Sequence, residues 1–152
     1  MRNFFAVLSL ALAFHASSWS ADSAPPAKTD VEMTNARSLI AKKDWAGALK
    51  VLESYTQNNT SSADGFNLLG YSYRNLQRYN ESLVAYKQAL TLDPVHRGAH
   101  EYIGMAYLSM GKLDDAKTHL DALNKICTFS CEEYRDLKKA YESARKAPGG
   151  KG

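Results

Sequence analysis

The sequence predicts an all-α protein built as a solenoid of stacked helical hairpins. Three observations carry this. Residues of matched size recur every 34 positions. Each period holds two stretches whose apolar residues return at spacings of three and four, the mark of one helix face. A short polar turn separates the two stretches, and the clearest period closes on a proline.

Taken in order, the chain of 152 residues opens on a segment unlike the rest. "MRN" gives a basic start, "FFAVLSLALAF" an apolar run from Phe4 to Phe14, and "HASSWSADSAPP" a small, polar sequel. This order describes a secretory signal peptide over 1–20, with cleavage expected before Ala21 or directly after it. The run is roughly half the ~20 apolar residues a membrane span needs. Residues 21–28 read as a Pro/Ala-rich linker.

The repeating part spans 29–146, in units of about 29–62, 63–96 and 97–128. Ala36, Gly70 and Gly104 set its register. Leu39, Tyr73 and Tyr107 form a second column, and Trp45, Tyr79 and Leu113 a third. Ala48, Ser82 and Ala116 are uniformly small, while Leu52, Tyr86 and Leu120 are uniformly large. In "FNLLGYSYRNL" one face carries Phe66, Leu69, Tyr73 and Leu76. In "YNESLVAYKQAL" it carries Tyr79, Leu83, Tyr86 and Leu90. "NLQRY" is the turn between them, and Pro94 ends the second helix. Small residues at Gly70 and Gly104 are expected to let the two helices of a hairpin approach closely.

A last helix is expected over 130–146, with Tyr134, Leu137 and Tyr141 continuing the register. Ser130 and Glu133 suggest a capping box at its start. Lys138 stands where Gly70 and Gly104 stood. That suits a solvated cap covering the final apolar face of a solenoid. Residues 147–152, "APGGKG", are expected to be a disordered tail.

At these residues the chain resembles the tetratricopeptide-repeat family. The middle unit has Phe66, Leu69-Gly70, Tyr73, Tyr79, Tyr86, Ala89 and Pro94 where the family pattern expects them. It departs at Ser82, where Ala is usual, and at Gln77, where Gly is common. The third unit matches at Gly104, Tyr107, Gly111, Ala116 and Leu120, with Thr128 in place of the closing proline. The first is degenerate at Glu32, Asn35 and Ala36. The resemblance covers about 29–128 and implies a right-handed superhelix of three hairpins plus a C-terminal capping helix.

The resemblance also implies a working surface. In the family, the first helices of successive hairpins line a concave groove that holds a partner segment. Here that groove would present Met33, Arg37 and Ile40, then Asp64, Asn67, Tyr71, Arg74 and Asn75, then Glu101, Met105 and Leu108. Asn can pair with a peptide backbone, Arg with a carboxylate, and Tyr71 offers a flat ring with a polar tip. The carboxylate-clamp constellation of some family members is not matched. Met33 stands where that clamp wants Lys, and Arg37 where it wants Asn.

Other chemistries find little support. The formal charge of +3 is small and scattered, which argues against nucleic acid. No nucleophile–base set or phosphate loop stands out, so no enzyme, cofactor or metal is expected. His96 and His100 read as surface residues, His96 lying in the turn after Pro94. Asp114-Asp115 and Glu132-Glu133 lie at helix starts, where they complement the helix dipole.

The only two cysteines, Cys127 and Cys131, sit in "NKICTFSCEEYRDL". On one continuous helix such residues keep Cβ atoms about 5–6 Å apart, whereas a disulfide wants roughly 3.5–4.5 Å. A bond therefore demands a helix break, and "TFS" falls where the register places a turn. An exported protein meets an oxidising compartment, which favours a disulfide staple. The expected setting is the periplasm of a Gram-negative bacterium, or secretion. The leader, and a general likeness to small exported repeat proteins of proteobacteria that includes "CEEYRDL", point there. The expected function is a scaffold or adaptor for another protein. The alternative is a thiol-based metal or redox chaperone using Cys127 and Cys131.

Overall fold

The computed structural model describes residues 28–147. The expectations for the leader, most of the linker and the end of the tail lie outside the described residues. Within them the chain is all helix: α1 Lys28–Ala41, α2 Trp45–Asn58, α3 Ala63–Asn75, α4 Tyr79–Leu92, α5 Arg97–Ser109, α6 Leu113–Ile126 and α7 Glu132–Lys146. They form the hairpins α1/α2, α3/α4 and α5/α6, and α7 packs on both α5 and α6. No described helix is long and apolar enough to cross a membrane.

Local chemistry sets the helix boundaries. Asp44 caps α2 by accepting from the Gly47 amide at 2.9 Å, and Ser62 caps α3 by accepting from Gly65 at 3.1 Å. Each hairpin turns through one left-handed residue at the same repeat position: Lys43 (φ 59°), Gln77 (φ 60°) and Gly111 (φ 71°). Only the third uses the residue that adopts this conformation without steric cost.

The core runs through the stack as three successive clusters. Ala36, Ala48, Leu49, Leu52, Leu69 and Ala85 make the first. Leu83, Tyr86, Ile103 and Ala106 make the second, and Leu120, Leu123 and Leu137 the third. Helices of neighbouring hairpins share the first two clusters and α6 shares the third with α7, so each hairpin completes its core only against the element that follows. The two register glycines serve different neighbours. A Cβ on Gly70 would sit 2.6 Å from the Tyr86 ring, on the second helix of its own hairpin. A Cβ on Gly104 would sit 2.5 Å from Leu137 Cδ2, on α7. Close approach within the hairpin therefore holds for Gly70. Gly104 instead receives the cap.

The start of α7 differs from the expected capping box. Cys131, not Ser130, is the N-cap residue, and it makes no side-chain cap bond. Ser130 lies outside the helix at φ 22°, where its carbonyl accepts from Arg135 Nη1 at 2.9 Å. Backbone geometry across the break, rather than the Ser-x-x-Glu pattern, decides where the helix begins. The sulfurs of Cys127 and Cys131 lie at bonding distance across this break, with Cα atoms 5.6 Å apart. Between them Phe129 is 93% exposed.

The histidines also differ from expectation. His100 is buried, and its Nδ1 lies 3.0 Å from His119 Nδ1. His100 Nε2 lies 3.1 Å from the Pro94 carbonyl, so that nitrogen donates. His119 then donates to His100 Nδ1. Burial, and then His100, push His119 down to about 4. The pair fastens α5 to α6.

Candidate functional site

The first helices of the hairpins meet through a row of polar contacts. Arg37 of α1 donates to Asp64 of α3 at 3.4 Å. The other Asp64 oxygen lies 3.0 Å from His96 Nε2. His96 caps α5, its Nδ1 accepting from the Ala99 amide at 3.1 Å. Since Nδ1 accepts, Nε2 carries the proton and donates to Asp64. Arg97 continues the row to Glu133 of α7 at 3.7 Å.

Beside this row lies an aromatic array. Tyr71 meets Trp45 edge-on at 5.7 Å between centroids and Tyr102 at 4.8 Å. Tyr102 also meets Tyr86 at 6.1 Å. The Arg74 guanidinium sits over Tyr71 at 5.4 Å and over Tyr102 at 5.8 Å, within cation–π range. Burial pushes Tyr102 up to about 12, with the Glu101 charge adding to it. Tyr71 is therefore not an isolated exposed ring. It joins α2, α3 and α5.

Three polar atoms here are buried without a partner, Asn67 Oδ1, Arg74 Nε and Tyr86 Oη. Asn67 is only 7% exposed. Its amide nitrogen lies 3.3 Å from where a Cβ on Gly98 would be. An unpaired buried carbonyl is costly, and such atoms mark places where a polar ligand can bind.

Next to Gly98 opens a polar cavity of about 280 Å³ between α5 and α7, lined by Gly98, Glu101, Tyr102, Glu132, Glu133 and Asp136. Burial pushes the Glu101 carboxyl up to about 7; Asp136 and Glu133 add to the shift and Arg74 opposes it. A separate apolar cleft of about 410 Å³ lies over α3 and α4, with Phe66, Tyr73 and Val84 in its wall. Among the described residues no group of three or more His, Cys, Asp or Glu side chains is arranged to hold a metal ion.

Of the residues expected to line a groove, Arg37, Asp64, Asn67, Tyr71, Arg74 and Glu101 fall along this one surface. Asn75 turns back on its own helix, donating to the Tyr71 carbonyl at 2.8 Å. Met105 and Leu108 pack against the Leu120–Leu123–Leu137 cluster, and Ile40 against the first cluster. Their contacts are with the core. Trp45, His96, Tyr102, Glu133 and Asp136 belong to the surface and were not expected there. Spacing offered one signal for Tyr102. It follows Tyr71 by 31 residues, one repeat less one helical turn, and such an offset brings side chains of neighbouring parallel helices together.

Known proteins agree with this architecture. Residues 63–96 match the family model described as tetratricopeptide repeat. The chain is 35% identical over 85 residues to Protein bimA of Emericella nidulans, covering 56% of this chain. It is 29% identical over 120 residues to Tetratricopeptide repeat protein 1 of Schizosaccharomyces pombe, covering 72% of this chain. It spans only 10% and 12% of those two proteins. Among solved structures it resembles the TPR2B domain of yeast Sti1 in a pHsp70 complex (TM-score 0.72, 18% identity, 78% of this chain and 96% of that one). It also resembles the first such domain of Spaghetti (RPAP3) bound to the HSP90 peptide SRMEEVD (TM-score 0.68, 15% identity, 76% and 92%). At these identities the likeness is one of fold.

Proposed function

We propose that this chain, a tetratricopeptide-repeat protein by its repeat and its fold, is a non-enzymatic scaffold that holds a segment of another protein on the surface formed by α1, α3 and α5. The observation that carries the reading is the Tyr71–Tyr102 ring pair with the Arg74 guanidinium over it, beside three buried polar atoms without a partner, Asn67 Oδ1, Arg74 Nε and Tyr86 Oη. A bound carbonyl or carboxylate would accept from the Arg74 guanidinium. Flat rings give contact area at low conformational cost. Two proteins of this fold hold such partners, the TPR2B domain of Sti1 in its pHsp70 complex and the first such domain of Spaghetti with an HSP90 peptide, and this favours the same use of the fold here.

The setting we propose is the periplasm or secreted space of a Gram-negative bacterium. The basic, apolar and small-residue order of 1–20 supports it, as does the pairing of Cys127 with Cys131. In this reading the disulfide is a staple. The alternative, a thiol-based metal or redox chaperone, needs both thiols free. Thiol counting on the native protein decides between them, two reactive thiols refuting the staple.

The test of the groove is crosslinking from the native periplasm, comparing wild type with Tyr71→Ala plus Arg74→Ala. The double variant should lose about tenfold of the recovered partner, roughly 1.4 kcal/mol. Equal recovery places the working surface elsewhere on the molecule.

A further inference from the structure

We infer that Phe129, held out on the loop between Cys127 and Cys131, inserts into the apolar cleft over α3 and α4 of a second copy of this chain, and that two copies exchange these rings as a weak, reversible dimer. The contact is separate from the α1–α3–α5 face. Phe66, Leu69 and Tyr73, which line the cleft, leave α3 on a different side from Asn67, Tyr71 and Arg74.

The first argument is a matched pair of apolar features. Among the described residues the exposed large apolar side chains are Val31, Val84, Val95 and Phe129. Phe129 is the only aromatic of these and the most exposed, at 93%. The Cys127–Cys131 bond closes the short loop that carries it, which limits how far the ring can turn back onto its own helices. Val84, 70% exposed, stands in the wall of the cleft with Phe66, Leu69, Tyr73 and Ala85. The cleft measures about 410 Å³. Recesses of roughly 300–1,000 Å³ take drug-sized molecules, so this one admits a phenyl ring. Insertion covers the ring and Val84 at once.

The second argument is charge. Lys125 stands in the last turn of α6, before the loop. Arg135 follows the loop and donates to the Ser130 carbonyl at 2.9 Å. Both are exposed. Glu132 and Glu133 lie between them in the chain, but they line the cavity toward α5. The cleft has the opposite sign. Glu81 lies in its lining, and Glu53 accepts from Tyr73 Oη at 2.7 Å. Arg78, paired with Glu81 at 2.9 Å, offsets one of these two carboxylates. Area then sets strength and stoichiometry. A buried phenylalanine removes about 150–250 Å² from water, and the cleft loses a comparable area. One insertion hides roughly 400 Å² and a reciprocal pair roughly 800 Å². Stable complexes bury about 1,200 Å² or more, so a single insertion is too little and the pair belongs to the weak class. Each copy gives a ring and receives one, so the exchange closes at two copies.

The test is sedimentation equilibrium of the native disulfide-bonded protein from about 10 µM to about 1 mM, the span in which weak association shows. Amide shifts followed over the same dilution read location. The protein should be monomeric at the low end and dimeric at the high end, with no larger species. Shifts should gather at 127–131, 66–73 and 81–88. Phe129→Ser and Val84→Asp, both at exposed positions, should each raise the dissociation constant about tenfold or more. Val95→Asp, at an exposed apolar position outside the cleft, should leave it unchanged. Thermal melts confirm that all three variants fold. A protein that stays monomeric at the highest concentration leaves the ring and the cleft to other occupants and overturns the exchange. So does a dimer that persists in Phe129→Ser or in Val84→Asp, one that Val95→Asp dissolves equally, or assembly beyond two copies.

Discussion

The fit of Gly104 against Leu137 can be tested by a four-chain cycle. Leu137 is fully buried and is the only buried residue of α7. A methyl added at 104 would lie 2.5 Å and 2.6 Å from its two terminal carbons, against an ordinary separation of about 3.5–4.0 Å. Gly→Ala within a helix gains about 1 kcal/mol of propensity. Overpacking an enclosed site costs about 1–3 kcal/mol. Leu137 has no open space to swing into, so Gly104→Ala should destabilise by a net ~1 kcal/mol. Leu137→Ala alone should cost about 3 kcal/mol, transfer plus cavity. In that background the obstruction is gone, and Gly104→Ala should stabilise by about 1 kcal/mol. The two sites are then coupled by about 2 kcal/mol. Urea unfolding of the four chains by circular dichroism measures the cycle, and amide exchange over 132–146 localises it. Additivity within about 0.5 kcal/mol would refute the packing described here.

Four further outcomes are expected. Cys127→Ser plus Cys131→Ser removes a five-residue loop closure worth about 2 kcal/mol; faster amide exchange should be confined to α7 and the end of α6, and uniform loss through α1–α4 would contradict a local staple. The Glu101 carboxyl should titrate near 7 by ¹³C NMR, facing Asp136, Glu133 and Glu132 from α7 and Arg74 from α3. Its raised value means the folded state holds the proton more tightly, so this group's contribution to stability falls as pH rises from 4.5 to about 7; Asp136→Asn should lower the midpoint, and an unchanged midpoint argues against their proximity. His119 should titrate near 4 rather than 6.5, its contribution being present above 6.5 and lost as pH falls toward 4; an imidazole midpoint near 6.5 would place it in solvent. Gln77→Gly should raise stability by up to ~1 kcal/mol by relieving the left-handed turn, as a thermal melt can show, while the same change at exposed Gln88, inside α4, should lower it by about as much.

The fold was legible because its signals are periodic. Gly70, Tyr73, Tyr86 and Ala89 repeat at fixed register, and a 34-residue period leaves little freedom for other architectures. The site was less legible. Arg37, Tyr71 and Met105 share one register position, yet Arg37 forms an ion pair, Tyr71 stacks and Met105 packs on the core. Register fixes where a Cβ starts. Side-chain length and the next helix decide where it ends. Tyr102, Glu133 and Asp136 enter the surface through contacts between helices that no single repeat contains. The buried His100–His119 pair was missed for a related reason. Its partners lie on facing helices of one hairpin, 19 residues apart, and polarity alone suggested solvent. Ser130 shows the limit of local motifs, since a helix break held by two cysteines overrides a capping pattern.

The exposed Phe129 gives the molecule an unusual relation to proteases. A chymotrypsin-like enzyme prefers such a ring, and the peptide after it lies in a solvent-facing turn. Cleavage there would not release α7, because the bond between Cys127 and Cys131 spans the cut. The nicked protein would keep Leu137 seated and run as one species until reduced. The last helix could thus survive in a protease-rich compartment as a separate polypeptide, joined to its solenoid through sulfur alone.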